Sequence, residues 1–441
     1  MAKKIIVAGG GHGGIAAAAL LAKDGFDVTV YEKNARENMG YDWTDIFDKK
    51  GLFAVGLGLP DEDKYRLKHD MTFYGPSPEY KLRQHTPVDQ LEIQMERKEI
   101  YNTLISYAEE CGVKFCYETP VLAPVLFGNR IVGIKTDKGE EYGDLVIDAC
   151  GIDSPVRKNL PAYLGITKEP EDFCTFYVYR AFFERTAEIP EDDFKVMLFR
   201  NNILGISWVA IEEEHTDVLI GRFEPFGMDE VEKELASLRE SQPALGEKIL
   251  RGGQFVKIPV RQALGIMVAD GYAAIGDSAF MTVPLIGSGI ANTLKAAKIL
   301  ADTVSGDICC EYSAETLYKY QREFFSQLGA GLAPIACVKL LLTKVTPEEV
   351  NYFFSAGILT DEDITMGADT TSILDLAKGI DLGSLKHKAS ALIKDKALLK
   401  KFGWMGRKIA SVAAVTAAMP KTYNKKALAS WANAYDKCFK I

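Results

Sequence analysis

The feature that most constrains this chain is a glycine-rich turn close to the N-terminus, between an apolar segment and an alanine-rich segment. Residues 4–8 have the composition of a buried parallel strand, and residues 15–21 have that of a helix. The turn between them consists of Gly9, Gly10, Gly11, His12, Gly13 and Gly14. Its first, third and last glycines are in the register G-x-G-x-x-G, which predicts a Rossmann-like α/β unit that binds a dinucleotide.

Each glycine of this register has its own physical role. We expect Gly9 to permit the tight turn, Gly11 to let the backbone approach a pyrophosphate, and Gly14 to let the helix pack closely on the strand. A second predicted strand ends at Glu32, whose carboxylate is expected to accept a hydrogen bond from a ribose hydroxyl. Because a carboxylate would repel a 2′-phosphate, the nucleotide is predicted to be FAD or NAD rather than NADP.

Two segments in the second half of the chain favour FAD. Gly276 and Asp277 follow a predicted strand, where a carboxylate can accept hydrogen bonds from ribityl hydroxyls. The loop at residues 284–290 then opens a predicted helix. Its glycines offer backbone N–H donors that can face the negatively charged edge of a reduced flavin.

Three further segments, residues 96–104, 119–121 and 144–157, complete a resemblance to the flavoprotein superfamily of para-hydroxybenzoate hydroxylase and, within it, to the geranylgeranyl reductases. The resemblance implies FAD bound in an extended form, with Arg97 near its phosphates and the backbone of Val121 paired with its adenine. The predicted cofactor-binding residues are therefore Gly9, Gly11, His12, Gly13, Gly14, Glu32, Lys33, Arg97, Val121, Cys150, Gly151, Gly276, Asp277, Pro284, Gly287, Ser288, Gly289 and Ile290. Cys150 stands where the superfamily has Asp, and it is either a reactive thiol near the flavin or a small apolar filler.

The predicted fold class is α/β, with a Rossmann-like FAD-binding domain, an inserted antiparallel-sheet substrate domain and a C-terminal helical extension. The expected limits are 1–165 with 258–330 for the FAD-binding domain, 166–257 for the substrate domain, and 331–441 for the helical region, with 66–95 joining the substrate sheet. Helices are expected in the helical region at 372–378, 382–399, 406–418 and 427–439. Only one G-x-G-x-x-G turn is present, so the electron donor is expected to be transiently docked NAD(P)H or an acidic redox protein.

Three aromatic residues are the candidates for the substrate pocket. Trp208 and Gly221 match part of the substrate-cavity motif of the geranylgeranyl reductases, with packing in the sheet core as the alternative for Trp208. Tyr41 and Trp43 follow the first flavin motif, where they would contact a substrate or form a capped surface turn. The resemblance implies a reductase that saturates C=C bonds of a small hydrophobic or lipid-like substrate by hydride transfer from N5 of reduced FAD. The alternative is a flavin-dependent monooxygenase that hydroxylates an aromatic or apolar substrate.

The charge is unevenly distributed along the chain. Residues 381–441 contain thirteen Lys and Arg against three Asp and Glu, whereas the whole chain has a formal net charge of −9. The overall negative charge argues against a nucleic-acid partner. The basic C-terminal region, with Lys400, Lys401, Arg407 and Lys408 close to Trp404, would suit an anionic membrane surface, an acidic donor protein or an anionic head group, or it is a solvated helical face.

Other features of the sequence bear on location and metals. No apolar run reaches the roughly 18 residues of a membrane-spanning helix. The first strand begins at Lys4, which predicts no secretion signal. The eight cysteines are scattered without metal-type spacing, so we expect free thiols and no metal site. A cytoplasmic protein is therefore expected, with peripheral contact to a membrane as the alternative.

Overall fold

The computed structural model describes residues 3–170, 172–369 and 382–441. The strands are β1 Lys4–Ala8, β2 Asp27–Tyr31, β3 Thr44–Phe47, β4 Tyr65–Leu67, β5 Thr72–Tyr74, β6 Lys81–Arg83, β7 Ile93–Glu96, β8 Lys114–Cys116, β9 Val121–Phe127, β10 Arg130–Thr136, β11 Gly139–Tyr142, β12 Leu145–Asp148, β13 Thr175–Arg185, β14 Phe194–Leu198, β15 Gly205–Ile211, β16 His215–Arg222, β17 Leu245–Pro259, β18 Val268–Ala269 and β19 Tyr272–Ala274. The α-helices are α1 His12–Lys23, α2 Lys50–Ala54, α3 Arg97–Glu110, α4 Pro155–Lys158, α5 Met228–Ser241, α6 Ile290–Ser305, α7 Ala314–Phe324, α8 Ala330–Leu342, α9 Pro347–Ser355, α10 Asp361–Asp369, α11 Leu382–Lys394, α12 Lys396–Ala417 and α13 Lys425–Lys437.

A six-stranded sheet in the order β18-β19-β12-β1-β2-β8 forms the centre of the nucleotide-binding part. Its strands are parallel except for the β18–β19 pair. Residues 5–8 of β1 are fully buried, as expected for a parallel strand covered on both faces. Helices α1, α3 and α6 pack together beside this sheet, and the predicted Rossmann-like architecture is confirmed.

Two glycines of the glycine-rich turn, Gly13 and Gly14, are packed too tightly to be replaced by a residue with a side chain. A Cβ atom on Gly14 would lie 2.5 Å from the Cβ of Ala149, which is the close approach between helix and sheet that the sequence predicts. A Cβ on Gly13 would lie 2.2 Å from the Cγ2 of Thr293 on α6. Gly13 therefore brings α1 against α6, a contact that the local sequence does not reveal.

The antiparallel sheet has seven strands in the order β17-β13-β16-β15-β14-β5-β6. Strands β5 and β6 form a hairpin whose first strand pairs in parallel with β14, so a segment within 66–95 does extend this sheet. Strand β17 continues to Pro259, past the expected limit at residue 257. The domain limits themselves stay a prediction.

Helices α7 and α8 are joined by a π-helical turn, Phe325–Gly329, into one helix from Ala314 to Leu342. By length and composition alone this helix could cross a membrane, so the expectation that no segment could do so is wrong. Its most apolar window is 67% buried inside the protein, which is typical of a core helix. Pro334 lies within this helix, five residues after the π turn ends, and removes one N–H donor from the helical ladder there.

The helices of the C-terminal region differ from the expected ones. A break was expected between residues 399 and 406, but α12 is continuous there and the break lies at Asp395. The Asp395 carboxylate accepts hydrogen bonds from the N–H groups of Ala397 and Leu398 and so caps α12. The expected helix at 427–439 corresponds to α13, and the expected helix at 372–378 lies outside the described residues.

Two of the four cations near Trp404 are engaged within the protein rather than presented to solvent. Lys401 forms an ion pair of 2.6 Å with Glu349 of α9. Lys408 donates to the backbone carbonyl oxygens of Cys438 and Lys440 at 2.8 and 2.6 Å. The basic face expected from the sequence is therefore smaller, with Lys400 and Arg407 exposed.

The contact between α1 and α6 can be tested with Gly13→Ala. We expect a loss of about 1–3 kcal/mol in the free energy of unfolding, because the new methyl group overlaps the Cγ2 of Thr293. Combining it with Thr293→Ser, which removes that methyl, should recover most of the loss. Urea titrations of the single and double variants give the comparison. Gly58→Ala is the matched control, since nothing lies within 4 Å of a Cβ at that position. A Gly13→Ala protein as stable as the control would contradict the close contact.

Candidate functional site

One cavity of about 1410 Å³ extends between the parallel sheet, the antiparallel sheet and the C-terminal helices. This volume exceeds the roughly 300–1,000 Å³ of a site for one small ligand, so the cavity has room for a cofactor and a second molecule. Every predicted site residue lines it except Pro284, which is buried. The assignment of these residues to cofactor binding, Pro284 included, stays a prediction.

The glycine-rich turn and Glu32 form the nucleotide end of this cavity. The carboxylate of Glu32 accepts hydrogen bonds from the backbone N–H groups of Gly10 and Asn34, at 2.8 and 2.9 Å. Helix α1 begins directly after Gly11 without a side-chain cap, so its first N–H groups remain available to an anionic group at the cavity wall. Gly11 is also required by packing, because a Cβ there would lie 2.9 Å from the carbonyl oxygen of Ala149.

A second helix starts at the same cavity. Gly289 precedes α6, which likewise has no side-chain cap, and Gly287 adopts a φ of +71° in the loop before it. Asp277 lies beside this loop and lines the cavity. Burial raises the pKa of Asp277 to about 6, although Arg97 and Arg157 oppose the shift.

Arg97 lies at the N-terminus of α3 and is ion-paired within the protein. Its guanidinium group binds the Asp45 carboxylate through two hydrogen bonds of 2.6 and 2.8 Å. It also lies over the ring of Tyr41, with the guanidinium carbon 4.7 Å from the ring centre. His12 stacks on Tyr101 at 4.4 Å, and burial lowers the pKa of His12 to about 3, so its imidazole is neutral.

Between the nucleotide end and the antiparallel sheet, Trp43 and Trp208 both pack against Arg180. The guanidinium carbon of Arg180 lies 5.6 Å from the ring centre of Trp43 and 5.0 Å from that of Trp208. Arg180 is held by Asp217 through hydrogen bonds of 2.9 and 2.7 Å and donates to the carbonyl oxygen of Thr44 at 2.6 Å. Sequence reasoning missed Arg180 and Asp217. The available signal was one charged residue in the middle of each of two mostly apolar strands, Arg180 in β13 and Asp217 in β16.

The remainder of the cavity is an apolar arm between the antiparallel sheet and helices α8, α9 and α12. The side chains that line this arm include Leu198, Ile206, Leu341, Phe353, Phe402 and Ile409. The helices of the C-terminal region thus form one side of the cavity. Local periodicity predicts their helical conformation but not this location.

Cys150 lines the cavity with a thiol that stays protonated. Burial, together with the nearby charge of Asp148, raises the pKa of Cys150 well above its ordinary value. A thiol without thiolate character is a weak nucleophile, which favours the structural interpretation of Cys150. Asp148, which sequence reasoning also missed, is fully buried and accepts hydrogen bonds from the hydroxyls of Ser154 and Ser278 at 2.6 and 3.1 Å. These bonds connect the segment around Cys150 with the segment around Asp277.

These residues fit FAD. Two helix N-termini without side-chain caps begin at one cavity, and side chains at the glycine positions would overlap the neighbouring backbone or helix. The turn at Gly9–Gly14 and Glu32 would hold the nucleotide, and Asp277 with the loop at Gly287–Ile290 would face the flavin. The exact contacts of each residue with the cofactor stay a prediction.

Comparisons with known proteins agree with this site. Residues 7–59 match the model of the NAD(P)-binding Rossmann-like domain family. The chain is 22% identical over 424 residues to a digeranylgeranylglycerophospholipid reductase from Sulfolobus acidocaldarius, covering 90% of this chain and 91% of the relative. Its fold is similar to that of a geranylgeranyl bacteriochlorophyll reductase-like protein from Thermoplasma acidophilum, with a TM-score of 0.72, 17% identity, and coverage of 92% of this chain and 99% of the other.

The fold is also similar to that of PqsL, a probable FAD-dependent monooxygenase from Pseudomonas aeruginosa, with a TM-score of 0.56 and 19% identity over 83% of this chain and 99% of that one. The fold, the cavity and these relatives define an FAD-dependent oxidoreductase. Within that class, the resemblance to the geranylgeranyl reductases is confirmed, and a reductase is favoured over a monooxygenase.

The buried carboxyl of Asp277 should make the stability of the flavin-free protein depend on pH. The unfolded carboxyl has a pKa near 3.8 and the folded one a pKa of about 6, so the folded state binds more protons between these values. The free energy of unfolding should therefore fall as the pH rises from about 4 to about 6, by about 1.4 kcal/mol for each pKa unit of difference, and stay level above that. Urea titrations across this pH range should show the fall in the native protein but not in Asp277→Asn. An equal fall in both proteins would show that Asp277 does not cause it.

Proposed function

We propose that this protein uses FAD to reduce C=C bonds in the isoprenoid chains of a lipid. The observation that carries the proposal is the apolar arm, which continues from the flavin-facing residues between the antiparallel sheet and the C-terminal helices. An extended hydrocarbon chain suits such an arm, whereas a compact aromatic substrate would leave most of it unfilled. The names of the curated relatives, which describe reductases of digeranylgeranyl lipids, support the same substrate class.

The chain's own residues would bind and orient the reactants. When bound and reduced, FAD supplies a hydride for one carbon of the double bond, and a proton must reach the other carbon. Tyr41 lines the cavity and is 39% exposed, and partial desolvation raises the pKa of its hydroxyl although Arg97 opposes the shift. Trp43 and Trp208 line the region between the flavin-facing residues and the arm. The apolar arm would exclude water from the hydrocarbon chain of the substrate.

The proposal is tested by identifying the product. The purified holoenzyme, reduced with dithionite, is given a geranylgeranyl glycerophospholipid without oxygen, and the lipid is analysed by mass spectrometry. We expect a gain of two hydrogens for each double bond reduced. A product that gains oxygen when air is admitted to the reduced enzyme would instead support the monooxygenase alternative. No change in the lipid under either condition would contradict the proposal.

A variant can test whether the arm holds the chain. Leu342→Trp places a larger side chain on the cavity wall, and we expect the kcat/KM for a geranylgeranyl lipid to fall roughly tenfold or more. A geranyl lipid, half as long, should be affected less. Leu122→Trp is the matched control, because Leu122 is exposed on β9 and does not line the cavity. Equal effects on both chain lengths would argue against this placement of the chain.

We further propose that the outer face of α12 contacts an anionic membrane surface. The inner face of this helix lines the cavity with Phe402, Met405 and Ile409. Lys400 and Arg407 are exposed on its outer face. A lipid substrate leaving the membrane would thus meet α12, the helix that lines its binding site. Each basic residue near an anionic leaflet contributes about 1 kcal/mol, an attraction that salt weakens.

Sedimentation with vesicles tests this contact. The protein should bind anionic vesicles at low salt, release them at high salt, and ignore neutral vesicles. Lys400→Gln/Arg407→Gln should reduce binding roughly tenfold or more, from two lost charge contacts. Lys233→Gln/Lys248→Gln removes two exposed cations elsewhere and should leave binding unchanged. Failure of the native protein to bind anionic vesicles at low salt would overturn the membrane contact.

A further inference from the structure

The indole N–H of Trp43 is a buried hydrogen-bond donor without an acceptor among the residues that the structure describes. Trp43 is 3% exposed and lines the cavity. Its surroundings are the apolar side chains of the antiparallel sheet, including Phe176 and Leu219. An unpaired N–H in such surroundings costs free energy that a partner within the cavity would recover.

The backbone on both sides of Trp43 is held by hydrogen bonds, and the indole itself is buried. The N–H of Arg97 donates to the carbonyl oxygen of Trp43 at 2.8 Å. The next residue, Thr44, accepts hydrogen bonds from Arg180 through its carbonyl and its hydroxyl, at 2.6 and 2.7 Å. The preceding residue, Asp42, forms an ion pair with Arg251 at 3.5 Å. The backbone that carries the indole therefore has a set position at the cavity wall.

The charges around Trp43 favour a neutral acceptor. The guanidinium of Arg180 lies over the indole, which disfavours a cationic partner. Arg97 and Arg180 are each already bound to a carboxylate through two hydrogen bonds, by Asp45 and Asp217 respectively. Neither guanidinium is thus left to neutralise an anionic group beside the indole.

We infer that Trp43 donates its indole N–H to a neutral oxygen acceptor of the molecule that fills the cavity, and that it thereby selects for occupants with an oxygen at this position. A carbonyl oxygen of the flavin and a hydroxyl or ether oxygen of the substrate share this chemistry. An acceptor on the flavin is independent of the proposed function, whereas an acceptor on the substrate rests on it. Trp43 is thus a specificity residue in a part of the wall whose charged groups are already paired with one another.

The experiment uses Trp43→Phe, which keeps an aromatic ring and removes only the donor. The affinity for FAD and the flavin midpoint potential are measured without lipid. The holoenzyme is then titrated with geranylgeraniol and with the hydrocarbon in which hydrogen replaces its hydroxyl. A change in FAD affinity or potential assigns the acceptor to the flavin. A loss of about fivefold or more in affinity for the alcohol, with the hydrocarbon unchanged, assigns it to the substrate.

Trp431→Phe is the matched control. Trp431 lies outside the cavity and donates its indole N–H to the carbonyl oxygen of Val415 at 2.7 Å. Its replacement should lower thermal stability and leave the affinities and the potential unchanged. The inference is overturned if Trp43→Phe changes neither the flavin measurements nor the difference between alcohol and hydrocarbon. If the native protein binds neither compound, the acceptor is not the substrate hydroxyl, and the flavin measurements alone decide the inference; the proposed function is decided separately by the product analysis.

Discussion

The close approach of α1 and α6 is the constraint on which the site depends. Gly13 and Thr293 meet where no additional atom fits, so the two helices start side by side at one cavity. Neither helix has a side-chain cap, and both therefore offer backbone N–H donors and the positive end of a helix dipole to the same space. Segments almost three hundred residues apart thus contribute to one binding site.

Hydrogen bonds from Arg180 to Thr44 then attach the antiparallel sheet to strand β3, and ion pairs hold the groups on either side. Arg97 binds Asp45 on β3, and Arg180 of β13 binds both Asp217 and the backbone of Thr44. The strand β3 is thus held from both sides, and Trp43 at its start is fixed against the cavity. Such pairs are costly to bury, but their hydrogen-bonding groups are matched here, and removing one partner would leave an uncompensated charge.

The C-terminal helices complete the cavity and present a different outer surface. The inner face of α12 is apolar and lines the arm, whereas exposed cations on the same helix face solvent. Because the remainder of the chain is acidic, this basic surface is distinct from the rest of the protein. One helix can therefore both wall a lipid site and approach an anionic surface.

The sequence by itself determined the Rossmann-like unit and the antiparallel sheet and predicted the residues of the FAD site, because glycine spacing and alternating apolar residues express local backbone requirements. It did not determine why Gly11 and Gly13 are needed, since the atoms that exclude a side chain there belong to Ala149 and Thr293. Nor could it show that Arg180 joins Asp217 and Thr44, or that Lys401 and Lys408 are engaged within the protein. Those outcomes depend on contacts between distant segments, and only the tertiary structure decides which charges find partners and which donors, such as the indole of Trp43, do not.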